Sequence, residues 1–72
     1  MKVNDRVEVI KEIDGSRWGT IKIGMKGTVV NYYMNLRNDP DFKIRFDDNV
    51  GGQDGHHWSF CGKDDLKYFK VI

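Results

Sequence analysis

Cysteine and proline are almost absent from this sequence, and long apolar runs are missing altogether. Cys61 is the single cysteine and Pro40 the single proline among 72 residues. A lone cysteine excludes an internal disulfide framework. The lack of disulfides is typical of proteins from a reducing compartment. No apolar run is long enough to span a bilayer, and the residues after Met1 lack the apolar core of a signal peptide. We therefore expect a cytoplasmic protein without a membrane segment.

The sequence also lacks an excess of charge and any segment with the periodicity of an ordinary helix. Twelve basic and eleven acidic residues leave a formal charge of +1, which argues against nucleic-acid binding through bulk charge. Present instead are eight glycines, four phenylalanines, three tyrosines and two tryptophans. Glycines suit short strands joined by tight turns, and aromatic rings supply burial in a short chain. The composition predicts a single all-β domain over residues 1–72.

The stretch I-G-M-K-G-T-V-V at residues 23–30 is the clearest structural signal. Gly24 and Gly27 lie three residues apart and can adopt positive φ at little cost, which predicts a tight turn. Thr28, Val29 and Val30 follow directly, and three β-branched residues favour a strand over a helix.

Side-chain alternation defines the remaining elements. Five strands are predicted, at residues 3–10, 27–33, 42–47, 57–61 and 68–72. The intervening residues 11–22, 34–41 and 48–56 are predicted loops, and one helical turn is expected at 63–66. A long first loop and a helical turn before the last of five short strands describe a small SH3-like barrel.

The same alternation assigns side chains to faces of the sheet. Val29 is predicted to face the core, with Val30 and Tyr32 on the opposite face. Phe42, Ile44 and Phe46 are predicted to point inward, and Trp58 and Phe60 to share one face. In the first loop, the expected anchors are Trp18 and Ile21.

Four blocks carry a resemblance to known domains: N-D-R-V-E-V-I (4–10), G-M-K-G-T-V-V (24–30), F-K-I-R-F-D (42–47) and K-D-D-L-K (63–67). Together they resemble small SH3-like barrels, which include the Mind bomb-type domains of ubiquitin ligases and short bacterial or phage proteins. The first block (4–10) and the glycine turn also resemble the KOW motif of ribosomal proteins and transcription-elongation factors. The resemblance implies binding of peptide segments or of nucleic acid. With Met1 at the start and Ile72 at the end, we expect a small autonomous phage or bacterial protein.

Residues that could bind metal occur between positions 47 and 61. Asp54, His56, His57 and Cys61 are close in sequence, but adjacent histidines on a strand point to opposite faces, and the spacing does not match a zinc site. The segment from Asp47 to Asp54 has glycine where a calcium loop needs a ligand. We expect neither a metal nor another cofactor.

Catalysis has only weak support in the sequence. His57, Ser59 and Cys61 can share one strand face, which is the arrangement of a nucleophile and a base. No oxyanion motif accompanies them. We therefore expect a protein that is not an enzyme.

Two sets of residues are candidates for binding partners. Trp18, Tyr32, Tyr33 and Trp58 could line a groove for a protein or peptide segment, or could simply cover a small core. The alternative set consists of Lys22, Lys26, Lys43 and Arg45, which could contact phosphates while Tyr32 stacks on a base. The favoured interpretation is a peptide-binding adaptor or host-interaction module, and the alternative is a KOW-like nucleic-acid binder. Neither set predicts an oligomeric state.

Overall fold

A computed structural model describes residues 1–14, 19–50 and 56–72 of the chain. Seven strands and one 3₁₀ helix occur in these residues. The strands are β1 (Arg6–Val9), β2 (Ile13–Asp14), β3 (Thr20–Ile21), β4 (Lys26–Met34), β5 (Pro40–Phe46), β6 (His57–Cys61) and β7 (Phe69–Val71), and the 3₁₀ helix is Lys63–Tyr68. No helix among the described residues has the length and apolar character needed to cross a membrane.

Five strands form one antiparallel sheet in the order β6-β5-β4-β1-β7, while β2 and β3 pair separately. The all-β prediction is therefore confirmed. Strands β6 and β7 lie at the two edges of the sheet, so strand pairing in the described residues does not close it into the predicted barrel. The predicted helical turn exists and is longer than expected, because it continues to Tyr68 before β7 begins.

The core lies on one face of this sheet. Its members are apolar and almost wholly shielded from solvent: Val7, Val9, Ile21, Val29, Phe42, Ile44, Phe46, Val50, Phe60 and Phe69. The inward alternation predicted for β5 is confirmed, with Lys43 and Arg45 on the opposite, solvent-exposed face. We call that opposite side of the sheet the outer face.

The sheet curls enough for side chains from its two edge strands to meet. The rings of Phe60 on β6 and Phe69 on β7 have centroids 5.1 Å apart in an edge-to-face arrangement. Phe42 on β5 stacks on Phe60 at 5.3 Å and meets Phe69 at 5.8 Å. The contacts of Phe69 with Phe60 and Phe42 thus join β7 to strands at the other end of the sheet, through the core and without strand pairing.

Glycine occupies positions 24 and 27 of the central stretch for different structural reasons. Gly24 has a φ of +95°, and its amide donates to the carbonyl of Val9, as expected for a turn. Gly27 has no such conformation and lies within β4, opposite Val7 and Phe46, so the predicted turn role is wrong for this residue. A Cβ there would lie 2.7 Å from Cγ2 of Ile44 and 2.8 Å from the carbonyl oxygen of Arg45. Close packing therefore accounts for glycine at position 27.

A β-bulge in β4 overturns the predicted position of Tyr32. Val29 pairs with Ile44, but the next pair is Asn31 with Lys43, so Val30 is an extra residue in the ladder. One extra residue reverses the alternation that follows it. Tyr32 consequently pairs with Phe42 on the core side, while Val30 is exposed on the outer side of the strand, as predicted.

The connection between β4 and β5 is shorter than the predicted loop at 34–41. Only residues 35–39 separate the strands, because β4 continues to Met34 and β5 starts at Pro40. Proline is tolerated there because it is the first residue of its strand. The side chain of Asn35 organises the turn, since its Oδ1 accepts hydrogen bonds from the amides of Arg37 (2.8 Å) and Asp39 (3.1 Å).

Strand pairing and burial also occur among the described residues of the other two predicted loops. The segment predicted as a loop at 11–22 contains the short β2–β3 pair, and Ile21 is fully buried as expected. Trp18 lies outside the described residues. In the segment 48–56, Val50 is buried, although the polar surroundings predicted an exposed loop.

Candidate functional site

An open depression lies on the outer face where β4, β5 and β6 run side by side. It has a volume of about 670 Å³. Side chains from these strands and from the 3₁₀ helix line it: Asn31, Tyr33, Asp41, Lys43, Ser59, Cys61 and Asp65, together with Phe42 and Phe60. We call this surface the sheet-face depression.

Strand register explains why these side chains come together. Asn31 of β4, Lys43 of β5 and Ser59 of β6 form one row across the sheet. The parallel row beside it contains Tyr33, Asp41 and Cys61. The bulge at Val30 is needed for this arrangement, because it turns Tyr33 to the outer face.

Asp41 is the centre of a hydrogen-bond cluster at one end of the depression. The Cys61 thiol, the Asn35 amide and the Tyr33 hydroxyl all donate to its carboxylate and lower the pKa of Asp41. The amide Nδ2 of Asn35 lies 3.3 Å from Oδ1 of Asp41 and 3.9 Å from Sγ of Cys61. The turn built by Asn35 thus also fixes a donor beside the depression.

The same cluster keeps the Cys61 thiol protonated. Its hydrogen bond to Asp41 is the main cause that raises the pKa of Cys61, and the charges of Asp41, Asp39 and Asp65 add to it. Asp65 is held in place by the backbone amide of Cys61, which donates to Oδ2 at 3.0 Å. An exposed cysteine in this anionic environment is a poor nucleophile because little thiolate forms.

The aromatic set predicted to bind a partner is divided between two faces. Tyr33 lines the depression and is 53% exposed. Tyr32 and Trp58 are half-buried and pack against the core, with the Tyr32 and Phe42 ring centroids 6.2 Å apart. The fourth residue, Trp18, is not among the described residues. Only Tyr33 of this set is therefore placed on the depression.

The predicted basic set is largely on the outer face. Lys26, Lys43 and Arg45 are exposed there, with Arg45 opposite Thr28 and His57. Lys22 lies before β4, in the turn that contains Gly24. Lys43 borders the depression, whereas Lys26 and Arg45 lie near Asp47, and their charges help to lower its pKa. Arg6 donates to the same carboxylate and is the main cause of that lowering.

Each residue of the potential catalytic row on β6 has a charged neighbour on β5. His57, Ser59 and Cys61 share the outer face as predicted, but the strand pairs place Arg45 beside His57, Lys43 beside Ser59 and Asp41 beside Cys61. Among the described residues, no three side chains of His, Cys, Asp or Glu are grouped so that they could hold a metal ion.

Sequence reasoning missed the polar residues Asn31, Asn35, Asp41 and Asp65. The alternation of polar and apolar residues did not single out these four as a site, since exposed polar residues occur on most strands. The signal that could have identified them was the short turn at Asn35, which fixes the pairing of Tyr33 with Asp41.

The chain matches no protein-family model, no curated protein and no solved structure.

Proposed function

We propose that this domain is a non-enzymatic module that binds an extended segment of a partner protein in the sheet-face depression. The observation that carries this proposal is the exposed ring of Tyr33 in the wall of a concave surface that also offers polar side chains. Aromatic residues with a polar tip are enriched where proteins bind each other, because they bury a large area and still form hydrogen bonds. Polar groups along the depression would orient the bound segment.

Exposed apolar residues beside Tyr33 also favour a protein partner. Met34 is 50% exposed, and Leu36 in the following turn is fully exposed. Tyr33, Met34 and Leu36 are thus three exposed apolar side chains near the end of the β4–β5 hairpin. A partner protein could bury this area, whereas the phosphate backbone of a nucleic acid would gain little from it.

Two features argue against an enzyme. The pKa of Cys61 is raised by Asp41, which disfavours the reactive thiolate. Ser59 pairs with Lys43, so its nearest neighbour across the strands is a cation instead of a base. These two environments favour a binding module over an enzyme with an activated nucleophile.

For the fold, we infer an SH3-like arrangement of the curled sheet. The strand order, the small β2–β3 hairpin in the first connection and the 3₁₀ helix directly before β7 support this inference. The contact between Phe60 and Phe69 supports it further, because the edge strands must approach each other for their rings to meet. An experimental structure that placed β6 and β7 far apart would contradict it.

A single-stranded nucleic acid is the second candidate ligand. It is favoured by the cations Arg6, Lys26 and Arg45 around Asp47, with Lys43 further along β5. If this candidate is right, binding to a single-stranded oligonucleotide should weaken steeply as salt rises, and Lys43→Glu with Arg45→Glu should abolish it. Absence of binding at low salt would remove this candidate.

The peptide-binding proposal can be tested by selecting a phage-displayed library of random peptides on the immobilised domain. Affinities of the recovered peptides are then measured by fluorescence anisotropy. Tyr33→Ala should weaken binding by about tenfold or more, as expected for an aromatic anchor. The matched control is Ile23→Ala, which truncates another exposed apolar residue outside the depression and should leave the affinity unchanged. Recovered peptides that bind the Tyr33→Ala variant as tightly as the unmodified protein would contradict the proposal.

A further inference from the structure

The two carboxylates of the sheet-face depression are held by neutral groups. Asp41 accepts hydrogen bonds from the Cys61 thiol, the Asn35 amide and the Tyr33 hydroxyl, while Asp65 accepts one from a backbone amide. None of the ion pairs within residues 1–14, 19–50 and 56–72 includes either carboxylate. Within these ranges the two carboxylates are therefore oriented by hydrogen bonds but not paired with a cation.

The cation that borders the depression is Lys43, two residues along β5 from Asp41. It lies in the row of Asn31 and Ser59, whereas Asp41 lies in the row of Tyr33 and Cys61. The depression thus has an anionic end and a cationic end. A ligand with a positive group would be attracted to the first end and repelled from the second, which fixes its direction along the surface.

Tyr33 adds an aromatic wall to the anionic end. Its exposed ring lies opposite Asp41 in the strand register. A guanidinium or ammonium group placed there could lie against the ring while it donates to a carboxylate. Such hydrogen bonds between charged groups are stronger than those between neutral groups.

We propose that the segment bound in the sheet-face depression presents an arginine or lysine side chain, which lies against the Tyr33 ring and donates to the carboxylates of Asp41 and Asp65. This inference rests on the proposed function and specifies the chemistry of the partner: a basic, extended segment of another protein. A phosphodiester chain does not suit this end of the depression, because its anions would face two carboxylates.

The test uses the library selection on the full chain, followed by anisotropy with two synthetic versions of one recovered peptide. The first is unmodified. In the second, citrulline replaces each arginine and acetyl-lysine replaces each lysine, so that the shape is nearly kept and the positive charge is removed. We expect the recovered peptides to be enriched in arginine or lysine, and the neutral version to bind about tenfold more weakly.

Variants of the protein show which carboxylates bind the positive charge of the peptide. Asp41→Asn and Asp65→Asn should each weaken binding of the charged peptide by several fold and leave the neutral peptide unaffected. The matched control is Asp64→Asn, which removes an exposed carboxylate of the same 3₁₀ helix that pairs with Lys67 and does not line the depression. Lys43→Gln should strengthen binding of the charged peptide and weaken binding of a single-stranded oligonucleotide.

The two proposals fail in different ways. Peptides that bind through Tyr33 but show no enrichment in basic residues, or no loss with the neutral version, would overturn the basic-segment inference alone. A selection that yields no peptide dependent on Tyr33 would overturn the proposed function. If Asp41→Asn fails to fold, as judged by its thermal melt, Asp65→Asn and the neutral peptide on the unmodified protein still decide the question.

Discussion

Arg6 binds Asp47 through two parallel hydrogen bonds, from Nη1 to Oδ1 at 2.8 Å and from Nη2 to Oδ2 at 2.6 Å. Nη1 also donates to Oγ1 of Thr28 at 3.0 Å, so the guanidinium joins β1 to β4 and to the residue after β5. The pair fastens three neighbouring strands on the outer face. Because both side chains are 44% exposed, solvent and salt will screen the attraction.

This ion pair predicts how stability depends on pH. The pKa of Asp47 is lowered below its ordinary value of 3.8, mainly by the hydrogen bond from Arg6. A lowered pKa in the folded state contributes stability that is present above the ordinary value and is lost as the pH falls through the folded value. The melting temperature of Asp47→Asn should therefore lie below that of the unmodified protein at neutral pH, and the difference should shrink below pH 3.8. Asp48→Asn is the matched control, and an Asp47→Asn difference that stays constant down to low pH would contradict the prediction.

Gly24 and Gly27 should respond differently to the same substitutions. Gly27→Ala should cost about 1–3 kcal/mol of unfolding free energy, because the added methyl group meets Ile44 and the backbone of Arg45. Gly24→Ala should cost roughly 1 kcal/mol, because the residue must keep a positive φ.

Asparagine separates the two causes, since it tolerates positive φ better than alanine does but is larger. Gly24→Asn should be less destabilising than Gly24→Ala, whereas Gly27→Asn should be more destabilising than Gly27→Ala. Urea unfolding of the four variants measures the order. If alanine and asparagine ranked in the same order of destabilisation at both sites, the assignment of positive φ to Gly24 and of close packing to Gly27 would be wrong.

The adjacent tyrosines offer a matched pair for testing the bulge. Tyr32→Ala should destabilise the domain by about 2 kcal/mol, because the ring packs against Phe42 and is only partly exposed. Tyr33→Ala should change the unfolding free energy by no more than about 0.5 kcal/mol, because its side chain is largely in solvent. Thermal or urea unfolding checks both values. Equal losses would mean that the two side chains are not on opposite faces.

Cys61 should react slowly for an exposed thiol. Asp41 raises the pKa of Cys61 through a hydrogen bond and through its charge, so the thiolate is scarce at neutral pH. Asp41→Asn should accelerate alkylation by iodoacetamide several fold, measured as a rate against pH. The control Asp64→Asn removes a carboxylate that does not contribute to this pKa. An unchanged alkylation rate in Asp41→Asn would mean that Asp41 does not raise the pKa of Cys61.

Where the sequence alternates without interruption, it was sufficient to predict a strand and its buried face. The inward faces of Phe42, Ile44 and Phe46 follow from a period of two that continues along the whole of β5. The turn at Gly24 and the buried anchor Ile21 were also predicted correctly.

Interruptions of the pattern were not predictable from one sequence. Nothing in T-V-V-N-Y-Y marks Val30 as an extra residue, because the bulge is fixed by pairing with β5 and not by local preference. The side chains of Asp41, Cys61 and Asp65 meet only after β5, β6 and the 3₁₀ helix have packed together. A site made of residues from separate elements depends on register, which local propensity does not determine.

The bulge at Val30 is the point at which β4 tolerates a change of sequence or of length. A substitution of Val30 changes an exposed side chain and leaves the spacing intact. Deletion of Val30 would remove the extra residue and place Asn31 directly after Val29, so the pairs of Asn31 with Lys43 and of Tyr32 with Phe42 would continue the ladder without a bulge. Loss of a single codon would in this way keep the two tyrosines on their present faces, one packed against the core and one available to a ligand.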